Sequence, residues 1–196
     1  MLLYIIFTLT LCTGYFVVNQ SFNYGLANGF TNTAFLSGIA SVAAVFNAGR
    51  FLWGYALDLS TFKCVFGILL VTQIFLSFTI FFVCQSPFLY AVWICALMFC
   101  EGALFVLAPN ILLKIYGDKA THLYGFFKSF AALCSIILII LQSAFLTDSL
   151  RSYNAFFIVN GLLSCISLAI LTNLFNEDKY ISIATRQRMS LNEEKK

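Results

Sequence analysis

Charge is what this sequence has least of. Only 10% of its 196 residues are Asp, Glu, Lys or Arg, against about 25% in an ordinary soluble domain. With 61% hydrophobic residues and a mean hydropathy of +0.93, that shortage excludes a soluble fold and points to an all-α integral membrane protein. Histidine is nearly missing too. The single His122 excludes the membrane metal enzymes that gather clusters of histidine ligands. There is no GxSxG nucleophile motif, so enzyme chemistry has little to stand on, and no cofactor is expected. The net charge of +3 comes with no basic face, so nucleic acid is not an expected partner. No CxxC pair occurs, and the seven cysteines lie in or beside apolar runs. Cysteine there behaves as a small hydrophobe.

What is present is a succession of apolar stretches, each of the roughly 20 residues that a bilayer core about 30 Å thick demands. The predicted spans are 2–18, 34–57, 65–83, 88–115, 123–146 and 154–175, followed by a charged tail at 177–196. No basic n-region precedes the first span and no small-residue cleavage site follows it. It is therefore read as a transmembrane helix, in a chain with an internal start or a truncation. Residues 19–33 are predicted to form a polar loop. The second span carries Gly38, Ala40, Ser41, Ala43, Ala44, Ala48 and Gly49, and such small residues predict a helix packed inside a bundle. The Phe- and Leu-rich third span is predicted to face lipid. Pro109 is predicted to kink the fourth, because proline removes a helical hydrogen bond.

Lys63, Lys114, Lys119, Lys179, Arg186, Arg188, Lys195 and Lys196 fall on one side of these spans, and only Arg151 on the other. The positive-inside rule then places both termini in the cytosol.

Three ionisable residues lie inside predicted spans, where each is costly. Arg50 sits about 12 Å from the cytosolic end of its helix, and Lys128 about 10 Å from the same side. The matching depths suit a two-ended anion, and guanidinium matches a carboxylate with two bonds. The plainer alternative for each is a long side chain snorkelling to the interface. Glu101 lies about 20 Å from either end. It is read as a carrier of a coupling proton, as a partner of Arg50, or as a neutral acid hydrogen-bonded within the bundle. Tyr4, Tyr15 and Trp93 are candidate pore-lining aromatics.

Gly54-Tyr55-Ala56-Leu57-Asp58, followed by Lys63, resembles the loop motif of the major facilitator superfamily. Thr61 and Phe62 stand where that motif has Gly and Arg. The degenerate copy that joins the eighth and ninth helices is the nearer likeness. Asn47-Ala48-Gly49-Arg50, Trp53-Gly54 and Asp58 are similar to the eighth helix of oxalate:formate antiporter-like porters, relatives of the monocarboxylate porters. Ala108-Pro109, Tyr116-Gly117 and Tyr124-Gly125 resemble their tenth and eleventh helices. The resemblance covers the chain to about residue 175. It implies one six-helix half of a twelve-helix fold, with the substrate site between the halves.

It also implies transport of a small organic anion, a mono- or dicarboxylate such as oxalate, formate or lactate. Arg50 and Lys128 would hold the substrate, although aligning on Tyr124-Gly125 puts the family's pore lysine nearer Ala131. Gly54, Asp58 and Lys63 would form the loop and gate. The expected partners are the bilayer, the anion, and a missing N-terminal six-helix half or a second copy. The rival expectation is a truncated or non-transporting six-helix membrane protein, or a partner subunit.

Overall fold

A computed structural model describes residues 2–145, 150–177, 180 and 182. Among them the chain is helical throughout, with turns and no strand. Seven α-helices run in order: α1 (Leu2–Ala27), α2 (Thr33–Ala48), α3 (Phe51–Leu59), α4 (Phe62–Val83), α5 (Pro87–Tyr116), α6 (Ala120–Phe145) and α7 (Leu150–Asn173). A single 3-10 turn, Gly117–Lys119, joins α5 to α6. Counting α2 and α3 as one, five segments among the described residues are long and apolar enough to cross a membrane. They define a multi-pass helical membrane protein. The predicted tail lies outside the described residues beyond residue 177, apart from Tyr180 and Ser182.

α1 and α5 form the middle of the bundle. α7 packs on α1 and α4, α2 on α5, and α6 on α5 and α1. Apolar contact alone cannot hold helices together in lipid, which is as apolar as they are, so small residues and interhelical hydrogen bonds carry the packing. Along the α1–α7 seam, Thr10 Oγ1 lies 3.1 Å from Ser167 Oγ, and Thr13 Oγ1 lies 3.4 Å from Ser164 Oγ. Ser167 donates to the Ile6 carbonyl at 3.1 Å, and Gln73 of α4 donates to the Thr10 carbonyl at 3.1 Å. Gly161 of α7 faces the Phe78 ring, which a Cβ there would approach to 3.1 Å.

Several expectations are corrected. The first helix does not end at residue 18. It continues to Ala27, and only residues 28–32 form the loop, with Gly29 at φ +88°. The polar residues of this extra stretch find partners, so they do not unwind the helix. Asn19 bonds back to the Tyr15 carbonyl, the Tyr24 hydroxyl donates to Asn154 Oδ1, and the Tyr90 hydroxyl donates to the Ser21 carbonyl.

The second span is not one helix, and it is not buried in the bundle. It breaks at Gly49 and Arg50, and it is the least covered of the five candidate spans, at 17% buried against 44% for α4. Gly38, Ala40, Ser41, Ala44 and Ala48 are exposed. Conversely α4 is no mere lipid-facing helix. Phe62, Phe66, Leu69, Leu70, Gln73 and Ser77 are buried along the side turned to its neighbours.

α5 runs continuously through Pro109. Having no N–H, Pro109 cannot donate to the carbonyl of Phe105, four residues earlier.

At the end of the bundle that carries Lys63, Lys114 and Lys119, Lys63 does not pair with Asp58. Its ammonium donates to the Thr172 and Phe175 carbonyls at 2.9 and 3.2 Å, closing the end of α7. Glu177 accepts from the Lys63 backbone N–H at 3.3 Å and lies 3.9 Å from Lys114, the one ion pair among the described residues. Asp58 is exposed at the end of α3.

Candidate functional site

The break between α2 and α3 places Arg50. Gly49 N–H bonds to both the Val45 and the Phe46 carbonyls, and the helical ladder resumes with Leu52 on Gly49 and with Trp53 and Gly54 on Arg50. No proline lies between Thr33 and Leu59. The break lies against the neighbouring helix. The Asn47 carbonyl rests on Gly102 of α5, where a Cβ would lie only 2.4 Å from it. Three residues before Arg50, the Asn47 amide donates to the Met98 carbonyl at 3.2 Å. Three residues after it, the Trp53 indole donates to the Phe99 carbonyl at 3.1 Å. The Trp53 and Phe99 rings pack at 5.2 Å.

Arg50 is exposed, and its guanidinium carbon lies 5.7 Å from the centre of the Phe105 ring. The half-buried Lys128 on α6 puts its ammonium 3.8 Å from the centre of the same ring and 5.5 Å from that of Tyr124. The two cations therefore sit on one aromatic platform. Their separation is bounded by the sum of their two distances to it. Cation–ring attraction holds each ammonium or guanidinium in place by about 0.5–2 kcal/mol, and this offsets part of the repulsion between them.

Glu101 lies one helical turn before Phe105 on α5 and is 4% exposed. Its carboxylate does not meet Arg50. It fills the space left by Gly14 of α1, where a Cβ would come within 1.5 Å of Oε2. That oxygen has no hydrogen-bond partner. The ionisable group whose charge acts on it is Lys128.

The structure thus brings Arg50 and Lys128 together, sets Glu101 behind them against α1, and leaves Gly54, Asp58 and Lys63 apart. Gly54 packs near Val106, with a Cβ position 3.4 Å from its Cγ1, and Lys63 binds the end of α7. Of the proposed aromatics, Tyr4 packs on Phe126 and Phe127 of α6, and Trp93 donates to Thr79 of α4 at 2.9 Å.

Sequence reasoning missed Phe105, one of 23 phenylalanines. It also missed Gly102 and Gly14, which matter only through what lies opposite them. The spacing of Arg50 and Lys128 gave no sign that one ring joins them. A separate apolar groove of about 830 Å³ between α2, α3 and α5, bordered by Phe46, Gly49, Leu52, Cys95 and Phe99, includes none of the three charged residues.

No family model matches the chain, and no curated protein matches it in sequence. What fold and site define is therefore a class: a multi-pass helical membrane protein with two cations on one face of its bundle.

Proposed function

We propose that this chain is one six-helix half of a twelve-helix organic-anion transporter of the major facilitator type, in which α6 also crosses the membrane, as the fifth of six spans in chain order. It moves a small mono- or dicarboxylate by alternating access. One observation carries the reading. Arg50 and Lys128 share the Phe105 ring, on helices well within the apolar part of the chain, with no carboxylate side chain paired to either among the described residues. Cations at such depth face a polar cavity or a partner rather than lipid. An anion bridging them supplies the missing negative charge, and the Arg50 fork gives two-bond recognition of a carboxylate.

The exposed α2–α3 face is the side on which an N-terminal six-helix half, or a second copy, completes the cavity. Glu101 is the carrier of a coupling proton in this scheme. It lies close enough to feel Lys128 and is shielded from the cleft by its seat on Gly14. Both termini lie in the cytosol, by the distribution of lysine and arginine. The transporter has no chemical step and no cofactor.

The test is uptake of radiolabelled oxalate, formate and lactate into proteoliposomes, with this chain alone and with an N-terminal half supplied. Saturable uptake that appears only with the complement supports a half-transporter. Saturable uptake by the chain alone supports a working homodimer. No uptake of any anion in either arrangement rejects the reading in favour of a non-transporting membrane protein.

A further inference from the structure

Arg50 owes its position to two hydrogen bonds that straddle it. Asn47 and Trp53 stand three residues before and three after, and each donates to α5, to the adjacent carbonyls of Met98 and Phe99. Between them the helix breaks on the N-terminal side of Arg50, whose carbonyl accepts from Trp53 and Gly54, so only the α3 half carries it. Both anchors reach α5 less than two turns above Phe105, the ring that Arg50 overlies at 5.7 Å. Gly102 completes the seat by admitting the Asn47 carbonyl. A continuous helix needs no such side-chain anchors, because its own ladder orients every residue. Here the ladder is interrupted where orientation matters most.

We infer that Asn47 and Trp53 are positioning residues: two pins that hold the α2–α3 break against α5 and so aim the Arg50 guanidinium at Phe105 and the space beside Lys128. Neither touches the anion. Each acts through Arg50. The proposal rests on the transporter reading for the purpose of the pins and not for their geometry, so the two can fail separately.

The experiment follows the reactivity of Arg50 itself. The purified full chain in lipid nanodiscs is treated with phenylglyoxal, and modification of Arg50 and of the exposed Arg151 is timed by peptide mass spectrometry. Asn47→Ala and Trp53→Phe each remove one donor. Each is expected to raise the Arg50 rate about three- to tenfold relative to Arg151, the range one net hydrogen bond allows. Asn47→Gln keeps an amide donor and is expected to restore the rate to within about twofold of wild type. Far-UV helicity is expected to be unchanged in all three.

An unchanged Arg50 rate overturns the assignment for the residue substituted. Loss of helicity, or an equal rise at Arg151, makes the bond part of general stability and overturns it too. Adding oxalate, formate or lactate to the same reaction tests the anion site separately. Pins that control Arg50 without protection by any of the three anions uphold this proposal while counting against the transporter reading.

Discussion

Arg50 and Lys128 meet on one ring: the guanidinium carbon of the first lies 5.7 Å and the ammonium of the second 3.8 Å from the centre of Phe105. They come from the α2–α3 break and from α6, 78 positions apart in the chain, with α5 between them. Phe105 is therefore the piece that fixes their relation.

Replacing it tests that role. Phe105→Leu keeps an apolar side chain of similar reach but removes the ring face. Each cation then loses about 0.5–2 kcal/mol of attraction. In a complete transporter, anion affinity is expected to fall roughly two- to thirtyfold, with membrane insertion unchanged. The measurement is the half-saturation concentration for uptake, compared with a Phe105→Tyr control that retains a ring and stays near wild type.

The two interior glycines predict a contrast. A Cβ at Gly102 meets the Asn47 backbone carbonyl at 2.4 Å, and backbone in a docked helix cannot step aside cheaply. A Cβ at Gly14 meets side chain rather than backbone, Glu101 from Oε2 at 1.5 Å to Cγ at 2.8 Å, which can give way only by changing rotamer as a whole. Gly102→Ala is expected to destabilise by about 1–3 kcal/mol, the usual cost of overpacking. Gly14→Ala is expected to be milder and to act mainly by displacing Glu101. Thermal unfolding of the two purified variants in one detergent checks the order. A larger loss from Gly14→Ala contradicts it.

Much of the helical architecture was legible because five of the segments are long and apolar, and 3.6-residue periodicity matters little when a whole segment is apolar. The extension of α1 to Ala27 was not legible. Asn19, Ser21, Asn23 and Tyr24 look like loop residues, but Asn19 and Asn23 bond back within α1, and Tyr90 and Asn154 from distant helices partner Ser21 and Tyr24. The break at Gly49 was not legible either, since the close contact beside it is with Gly102, 53 residues further on. The small residues of α2 misled for a related reason. They mark a surface fit for close packing, but nothing local says whether that surface is already occupied. In the site, the two cations announced themselves by their cost in an apolar stretch. Phe105 did not, because phenylalanine in such a chain is ordinary.

Topology follows from the corrected loop. Residues 24–27 belong to α1, so an epitope belongs at 29–31, where Gly29 leaves open space around it. That epitope is expected to be reachable on the side opposite a tag placed after Lys196, which is reachable only once the cytosolic face is opened. Both tags labelled from one side contradicts the arrangement of spans.

Arg50→Lys asks whether Arg50 binds a carboxylate, as proposed. Positive charge is kept, so the cost of insertion barely changes, while the two-bond fork is lost. One hydrogen bond to a charged group contributes about 1.5–3 kcal/mol, so affinity is expected to fall roughly 10- to 150-fold. Lys128→Ala alongside it is expected to weaken a dicarboxylate more than a monocarboxylate, because only the former has a second charge to leave unpaired. The measurement is initial uptake of radiolabelled oxalate and formate, well below saturation, in proteoliposomes holding the complete transporter at matched protein levels. Severe loss for both anions is expected in Arg50→Lys. Wild-type uptake by that variant would contradict it and leave Arg50 a structural arginine held on the Phe105 ring.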